Sequence, residues 1–311
     1  MQTPDALVLG GGGTLGEAWM SAVLAGLDES DRFDARGCAR YLGTSAGSIV
    51  ATSLVAGLAP GLRLGSLPPA RVAAKLDHDD GRTSSISQVF GAAANLAALT
   101  AAPIASLTLA STARGGAAFR RGALRRVPAG RRSLAELGRL VDAMGVGWDG
   151  RLRIAVVELA TGRRVVFGAP GAPQPPVSAA VEASCAIPGV FAPVTTGGRT
   201  YVDGGAWSPT NMDALDVGKG DRVLCLNPTG SLRPSMAAPV GVFGPVSRGA
   251  AGAEALALRS RGAHVSTINP DSASAAAMGA DLMNAGPRRA VIEAGLAQGR
   301  ALGLRPPARA E

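Results

Sequence analysis

Ala39-Arg40-Tyr41-Leu42-Gly43-Thr44-Ser45-Ala46-Gly47-Ser48-Ile49-Val50-Ala51 decides how the chain is read. A short apolar run ends in Gly-x-Ser-x-Gly, and small and apolar residues follow with no polar loop between. The pattern predicts a strand that turns sharply into a helix with Ser45 at the apex. Gly43 and Gly47 leave room for the tight backbone beside it. A serine so placed is expected to be exposed, and the positive end of the following helix stabilises charge developing near it. The pentapeptide alone is moderately specific, because glycine-rich chains produce it by chance, and an ordinary turn before a helix is the bland alternative.

Upstream, Ala6-Leu7-Val8-Leu9 is an apolar run that breaks into Gly10-Gly11-Gly12-Gly13-Thr14-Leu15-Gly16. Ala18, Trp19, Ala22, Val23, Leu24 and Leu27 then recur at helical spacing. Strand, glycine loop and helix follow, with loop amides aimed at whatever sits above the helix N-terminus. Two anions suit that loop. Gly11-x-Gly13-x-x-Gly16 satisfies a dinucleotide fingerprint, which also needs an acid at the end of the next strand. Asp31 and Asp34 fall near the required spacing but in the polar stretch 28–36. The other anion is the oxyanion of an acyl transfer, which the serine on the second strand favours.

Composition bounds the rest. The 311 residues suit one large α/β domain or two ordinary ones, and 47% hydrophobic content suffices for a core. Only 4% are aromatic, so packing relies on close approach of backbones. The net charge is +8, and Lys75 and Lys219 are the only lysines, an arginine bias with no nucleic-acid motif and no interleaved aromatics beside it. Nucleic acid is therefore not an expected partner. Cys38, Cys185 and Cys225 are widely spaced, which points to reduced core thiols rather than a disulfide framework or a zinc site. The N-terminus carries no signal-peptide pattern, so a cytoplasmic location is the default expectation.

From Thr83 through Ala113 no residue is charged, and Pro103 interrupts the run. Alanine contributes little insertion energy, so buried or lid helices are expected there before a transmembrane span. Arg114, Arg120, Arg121, Arg125, Arg126, Arg131 and Arg132 follow with no acid among them. They form either a solvated face or one that rests peripherally on an anionic membrane surface. Two strands around the turn at Thr161-Gly162 come next, then a helix of small residues over 177–186. Thr200-Tyr201-Val202 is a strand ending in Asp203-Gly204-Gly205, and strands at 221–226 and 264–268 flank a helix over 251–261. The loop 227–245 is expected to be the least structured part, and a helix over about 288–302 closes the chain. Strands alternating with helices predict a mainly parallel sheet covered on both faces.

A nucleophilic serine needs a base and an oxyanion site. His78 sits in Asp77-His78-Asp79-Asp80 and reads as a surface loop, with a divalent-ion site as the remote alternative. His264 would complete the order Ser, Asp, His, but it opens a strand, whereas sites in such sheets lie at the carboxyl ends. Asp203 ends a strand, and Gly204 and Gly205 permit the tight turn that would bring its carboxylate beside a second strand end. A turn-capping role is the bland reading of any Asp-Gly. A carboxylate is a weak base for a hydroxyl, so such a dyad needs a desolvated Asp and strong oxyanion stabilisation.

With these blocks the chain resembles the patatin-like phospholipases. Gly11-Gly12-Gly13-Thr14-Leu15-Gly16, Gly43-Thr44-Ser45-Ala46-Gly47 and Asp203-Gly204-Gly205 stand in the family's order. Ser184-Cys185-Ala186-Ile187-Pro188-Gly189-Val190-Phe191 is similar to the segment before the family's catalytic aspartate. The likeness runs from about residue 5 to 300 and is weakest over 60–150 and 228–262. It implies a three-layer α/β/α sandwich with a mainly parallel central sheet, formed by a single domain over 1–311. A variable lid-like or membrane-facing helical insertion would occupy about 60–150. It also implies Ser45 as nucleophile, Asp203 as base, an oxyanion hole within Gly11, Gly12 and Gly13, and hydrolysis of lipid acyl esters through an acyl-serine. No metal or organic cofactor is implied. The family usually has Arg or Lys where this chain has Leu15, which leaves neutral lipids, lysophospholipids and other acyl esters equally open as substrates. The competing readings are a nucleotide-binding module built on Gly11–Gly16 and a catalytically silent lipid-binding scaffold of the same fold.

Overall fold

The structure is a computed structural model that describes residues 1–65, 113–231 and 243–304. In chain order the elements are β1 (Ala6–Leu9), α1 (Gly13–Asp28), β2 (Arg40–Thr44), α2 (Ala46–Val55), the single turn α3 (Leu62–Gly65), α4 (Ala113–Arg126) and α5 (Ala135–Asp142). There follow β3 (Leu152–Glu158), β4 (Arg164–Phe167), α6 (Val177–Cys185), β5 (Val194–Thr196) and β6 (Arg199–Asp203). The chain ends with β7 (Arg222–Leu226), α7 (Phe243–Ser260), β8 (His264–Ile268), α8 (Ser272–Met278) and α9 (Arg288–Gly303).

The sheet runs β5-β6-β3-β2-β1-β7-β8. β3, β2, β1, β7 and β8 are mutually parallel, whereas β4, β5 and β6 add antiparallel pairings at the β3 side. β1 shows why both faces are covered. Leu7 and Leu9 join one apolar cluster with Trp19, Leu24, Val50, Ala183 and Val291, drawn from α1, α2, α6 and α9. Ala6 and Val8 join another with Ala251, Ala255 and Leu258 of α7. A strand buried on both sides reads as a continuous apolar run, as Ala6–Leu9 does. The architecture is the α/β fold expected of the sequence, a mostly parallel sheet flanked by helices.

One pairing positions the site. β3 pairs with β2 up to Thr44–Ala155, and its next residue, Val156, pairs with Asp203 at the end of β6. β4 pairs with the β3 residues that meet both of them, so β2 and β6 meet the same edge of β3 end to end. The residue after β2 and the last residue of β6 thereby converge, though 158 positions apart in the chain.

Some elements differ from expectation. α7 begins at Phe243, eight residues before the expected start and inside the stretch taken as loop. Pro245 lies in its first turn, where a missing N–H costs no helical bond. A short 3-10 turn also forms at Pro228–Ser231. α8 and β5 were not anticipated, being short segments of small or polar residues, whereas α5 falls inside the helical insertion expected over about 60–150. The uncharged stretch 83–113 lies outside the described residues except for Ala113, as do His78 and its acidic neighbours. Within the expected insertion, residues 60–65 and 113–150 are described and carry α3, α4 and α5. Among the described residues no helix is long and apolar enough to cross a membrane.

Candidate active site

Ser45 caps the N-terminus of α2 with φ 52° and ψ −124°, a left-handed backbone for a residue with a side chain. Such a conformation costs about 1–3 kcal/mol and survives only where its surroundings enforce it. The enforcement is visible. A Cβ on Gly47 would stand 1.9 Å from the Leu9 carbonyl oxygen, and one on Gly43 2.4 Å from Ser48 Cα. Only glycine lets β1, β2 and α2 meet this closely. The Ser45 amide donates to Ser184 Oγ at 2.9 Å, and its carbonyl accepts from Ser48 Oγ at 2.6 Å. The elbow is thus held at both of its backbone groups.

Asp203 ends β6 and is 5% exposed. Its Oδ1 accepts the Gly205 amide at 2.7 Å, and the Ser45 side chain acts on the carboxylate as a second, hydroxyl donor that favours its charged form. Burial pushes the Asp203 carboxyl up to about 6, against the opposing pull of these two donors. A carboxylate in that range is a better proton acceptor than a solvated one. Ser45 itself is 8% exposed, not open to solvent as its place on the elbow suggested, because Asp203 and the glycine loop crowd it. Gly204 fits for the same reason: a Cβ there would meet the Ala155 carbonyl at 2.4 Å.

The glycine loop passes directly over the elbow, where a Cβ on Gly11 would lie 3.5 Å from Ser45 Cβ. Its amides do not all point the same way. Gly11 N–H donates to the Pro209 carbonyl at 2.8 Å, so it is already engaged and drops out of the expected trio of oxyanion donors. Leu15 N–H donates to the Leu282 carbonyl at 2.9 Å. Gly12 and Gly13, at the very start of α1, have no intrahelical acceptor, as the first turn of any helix dictates. Gly13 has φ +58°, and a Cβ on it would meet Met283 Sδ at 2.5 Å. Leu15 is fully buried in the larger apolar cluster.

Four residues whose part was not read from the sequence complete the surroundings. Ser184 Oγ accepts the Ser45 amide and donates to the Ala155 carbonyl at 2.8 Å. Next in the chain but one, the Ala186 carbonyl accepts the Asp203 amide at 3.0 Å. The C-terminal end of α6 therefore holds both Ser45 and Asp203. Asn211, also in left-handed backbone, donates from Nδ2 to Thr44 Oγ1 at 3.1 Å and to the Gly204 carbonyl at 3.2 Å. Arg120, expected on an outward arginine face, turns inward instead. It is 7% exposed, donates to the Ala206 and Gly162 carbonyls, and lies 4.0 Å from the centroid of the Trp207 ring. Burial and the nearby Arg164 lower its pKa to about 10.

Other candidates lie elsewhere. His264 is exposed, opens β8 and pairs with Arg222, at the end of the parallel strands opposite Ser45. Asp34 is on the surface beside Arg36, and the end of the second strand, where a dinucleotide fold needs its acid, carries Ser45. The three cysteines are buried free thiols. Among the described residues no cluster of His, Cys, Asp and Glu is arranged to hold a metal ion.

A structure of VipD from Legionella pneumophila is 14% identical, with a TM-score of 0.47, over 96% of this chain and 66% of its own. One of the type III effector protein ExoU is 16% identical, with a TM-score of 0.36, over 97% of this chain and 54% of its own. The chain thus spans about two thirds of the one and about half of the other. No curated protein sequence matches it. The model of the patatin-like phospholipases matches residues 7–216, a stretch that holds the glycine loop, the elbow and Asp203, and the chain belongs to that family.

Proposed function

We propose that the chain hydrolyses acyl esters of lipids through Ser45 and Asp203. The observation that carries this reading is the convergence of a buried Ser45, held in strained backbone, with a desolvated Asp203 carboxylate at the same edge of β3, directly beneath the glycine loop. Ser45 Oγ attacks the acyl carbonyl carbon while its proton passes to Asp203. The tetrahedral oxyanion is met by the Gly12 and Gly13 amides, assisted by the positive end of α1. Protonated Asp203 then returns its proton to the departing alcohol, leaving the acyl group on Ser45. Water, deprotonated by Asp203, attacks that ester, and Asp203 passes the proton to Ser45 Oγ as the ester bond breaks and the fatty acid leaves. Fixed dipoles are favoured over a mobile cation here, since Leu15 is buried in the core and brings no charge to the loop. That favours substrates recognised by their acyl chain rather than by an anionic head group.

A fluorophosphonate probe followed by peptide mapping tests the reading: Ser45 takes up the probe and the labelled protein no longer turns over a short p-nitrophenyl ester. A folded chain that is not labelled at Ser45 is instead a silent scaffold. Contact with a lipid surface falls to the outer face of α4, where Phe119, Arg121, Arg125 and Arg126 are exposed. Its expected sign is binding to vesicles of anionic phospholipid that weakens as salt is raised. Binding indifferent to salt counts against it.

A further inference from the structure

Glu254 lies on α7, 2% exposed, among Ala251, Ala255 and Leu258, where apolar residues cover the sheet. No cation partners it among the described residues. Its carboxylate accepts the Met212 amide at 2.8 Å and the hydroxyl of Thr210. Burial and the neighbouring Asp213 push its carboxyl up to about 7. A carboxylate kept in such a place without a cation is costly, and a core would be more stable with an apolar residue of similar size.

The loop it grips touches every part of the site. The Pro209 carbonyl takes the Gly11 amide and so fixes the glycine loop. Asn211 Nδ2 reaches Thr44, the residue before Ser45, and the carbonyl of Gly204, the residue after Asp203. The Ser208 hydroxyl accepts the Thr210 and Asn211 amides at 3.3 Å each, closing the loop upon itself. Glu254 is the floor on which residues 208–212 rest.

We propose that Glu254 is a positioning residue for the Ser45–Asp203 site, setting through the 208–212 loop the placement of the glycine loop, the elbow and the aspartate turn together. The inference rests on the hydrolase reading above. It places this residue's effect in the reaction step and not in ground-state binding, because the loop's bonds end on the reacting groups and on their oxyanion loop. Small misplacements of such groups cost about 100-fold in rate.

Glu254→Leu, Glu254→Gln and Thr210→Val test it in the full chain, each checked for cooperative melting. In Glu254→Leu, kcat on a soluble p-nitrophenyl ester is expected to fall by about 10- to 100-fold while KM stays within about 2-fold. Labelling of Ser45 by the phosphonate should slow by the same factor. Glu254→Gln keeps one acceptor oxygen and should recover part of the loss. Thr210→Val removes one arm without touching the carboxylate and decides the matter by the same readouts if neither Glu254 variant folds. Its losses combined with Glu254→Gln should be less than additive. A folded variant with unchanged kcat and labelling rate, or one that raises KM alone, overturns the proposal. A wild-type chain that turns over no ester and takes no probe removes the hydrolase reading and this inference with it. A competent wild type beside unaffected variants removes this inference alone.

Discussion

On one face of the sheet α1 and α9 cross through glycine; on the other, α7 carries a carboxylate down to the active-site loop. At the crossing a Cβ on Gly299 would lie 2.3 Å from the Val23 carbonyl, and one on Gly26 2.6 Å from that of Leu296. Backbone meets backbone there, sealed by Trp19 donating to Gln298 at 2.9 Å. On the α7 face the core is smaller, built from Ala, Val, Leu, Met and Cys, with Glu254, Thr210 and Asn211 buried beside it. Close packing secures the fold on the first face, and directed hydrogen bonds secure placement on the second. Stability and catalysis should therefore respond separately to substitution.

The largest effect expected is Asp203→Asn, which should lower kcat on a soluble ester by about 10²–10⁴-fold, the usual worth of a general base. Its effect on stability runs the other way. The folded-state pKa of Asp203 lies above its unfolded value of 3.8, so its contribution to stability is present below about pH 4 and is lost as pH rises through about 6. At pH 8 the buried charge costs on the order of 3 kcal/mol, which the amide removes, so Tm at that pH should hold or rise. A variant that loses activity and melts early would merge the two faces that the comparison separates. In the wild type, kcat/KM should climb with pH and level off above about 6, and a flat profile from pH 4 to 8 would transfer the role of base to another group.

Gly299→Ala should do the reverse. Its methyl must push α9 away from the Val23 carbonyl, costing about 1–3 kcal/mol of stability as overpacking does. Activity of the folded fraction, assayed well below the lowered Tm, should stay near wild type. Loss of kcat at a temperature where the protein is fully folded would show that the α1–α9 contact also sets the site, through the glycine loop at the start of α1.

Sequence and structure agree wherever the signal is local. The elbow announces itself because Gly43, Ser45 and Gly47 are neighbours, and β1 because an apolar tetrapeptide precedes a glycine run. Asp203 was recognisable from the Gly-Gly behind it. The supporting groups were not, since each acts across a gap that no periodicity spans. Ser184 reaches Ser45 across 139 residues, and Glu254 reaches Thr210 across 44. Gly11 looked equivalent to Gly12 and Gly13 until the Pro209 carbonyl set it apart. Arg120 looked like its arginine neighbours because nothing local distinguishes a guanidinium turned toward Trp207 from one turned toward solvent.

The end of α6 has a mechanical meaning. Ser184 holds the Ser45 amide and Ala186 holds that of Asp203, so the two candidate site residues are bolted to a single bracket three residues long. When that helix end shifts, both groups travel with it and their spacing is conserved. Thermal motion of α6 should change how the pair faces the glycine loop long before it pulls the pair apart.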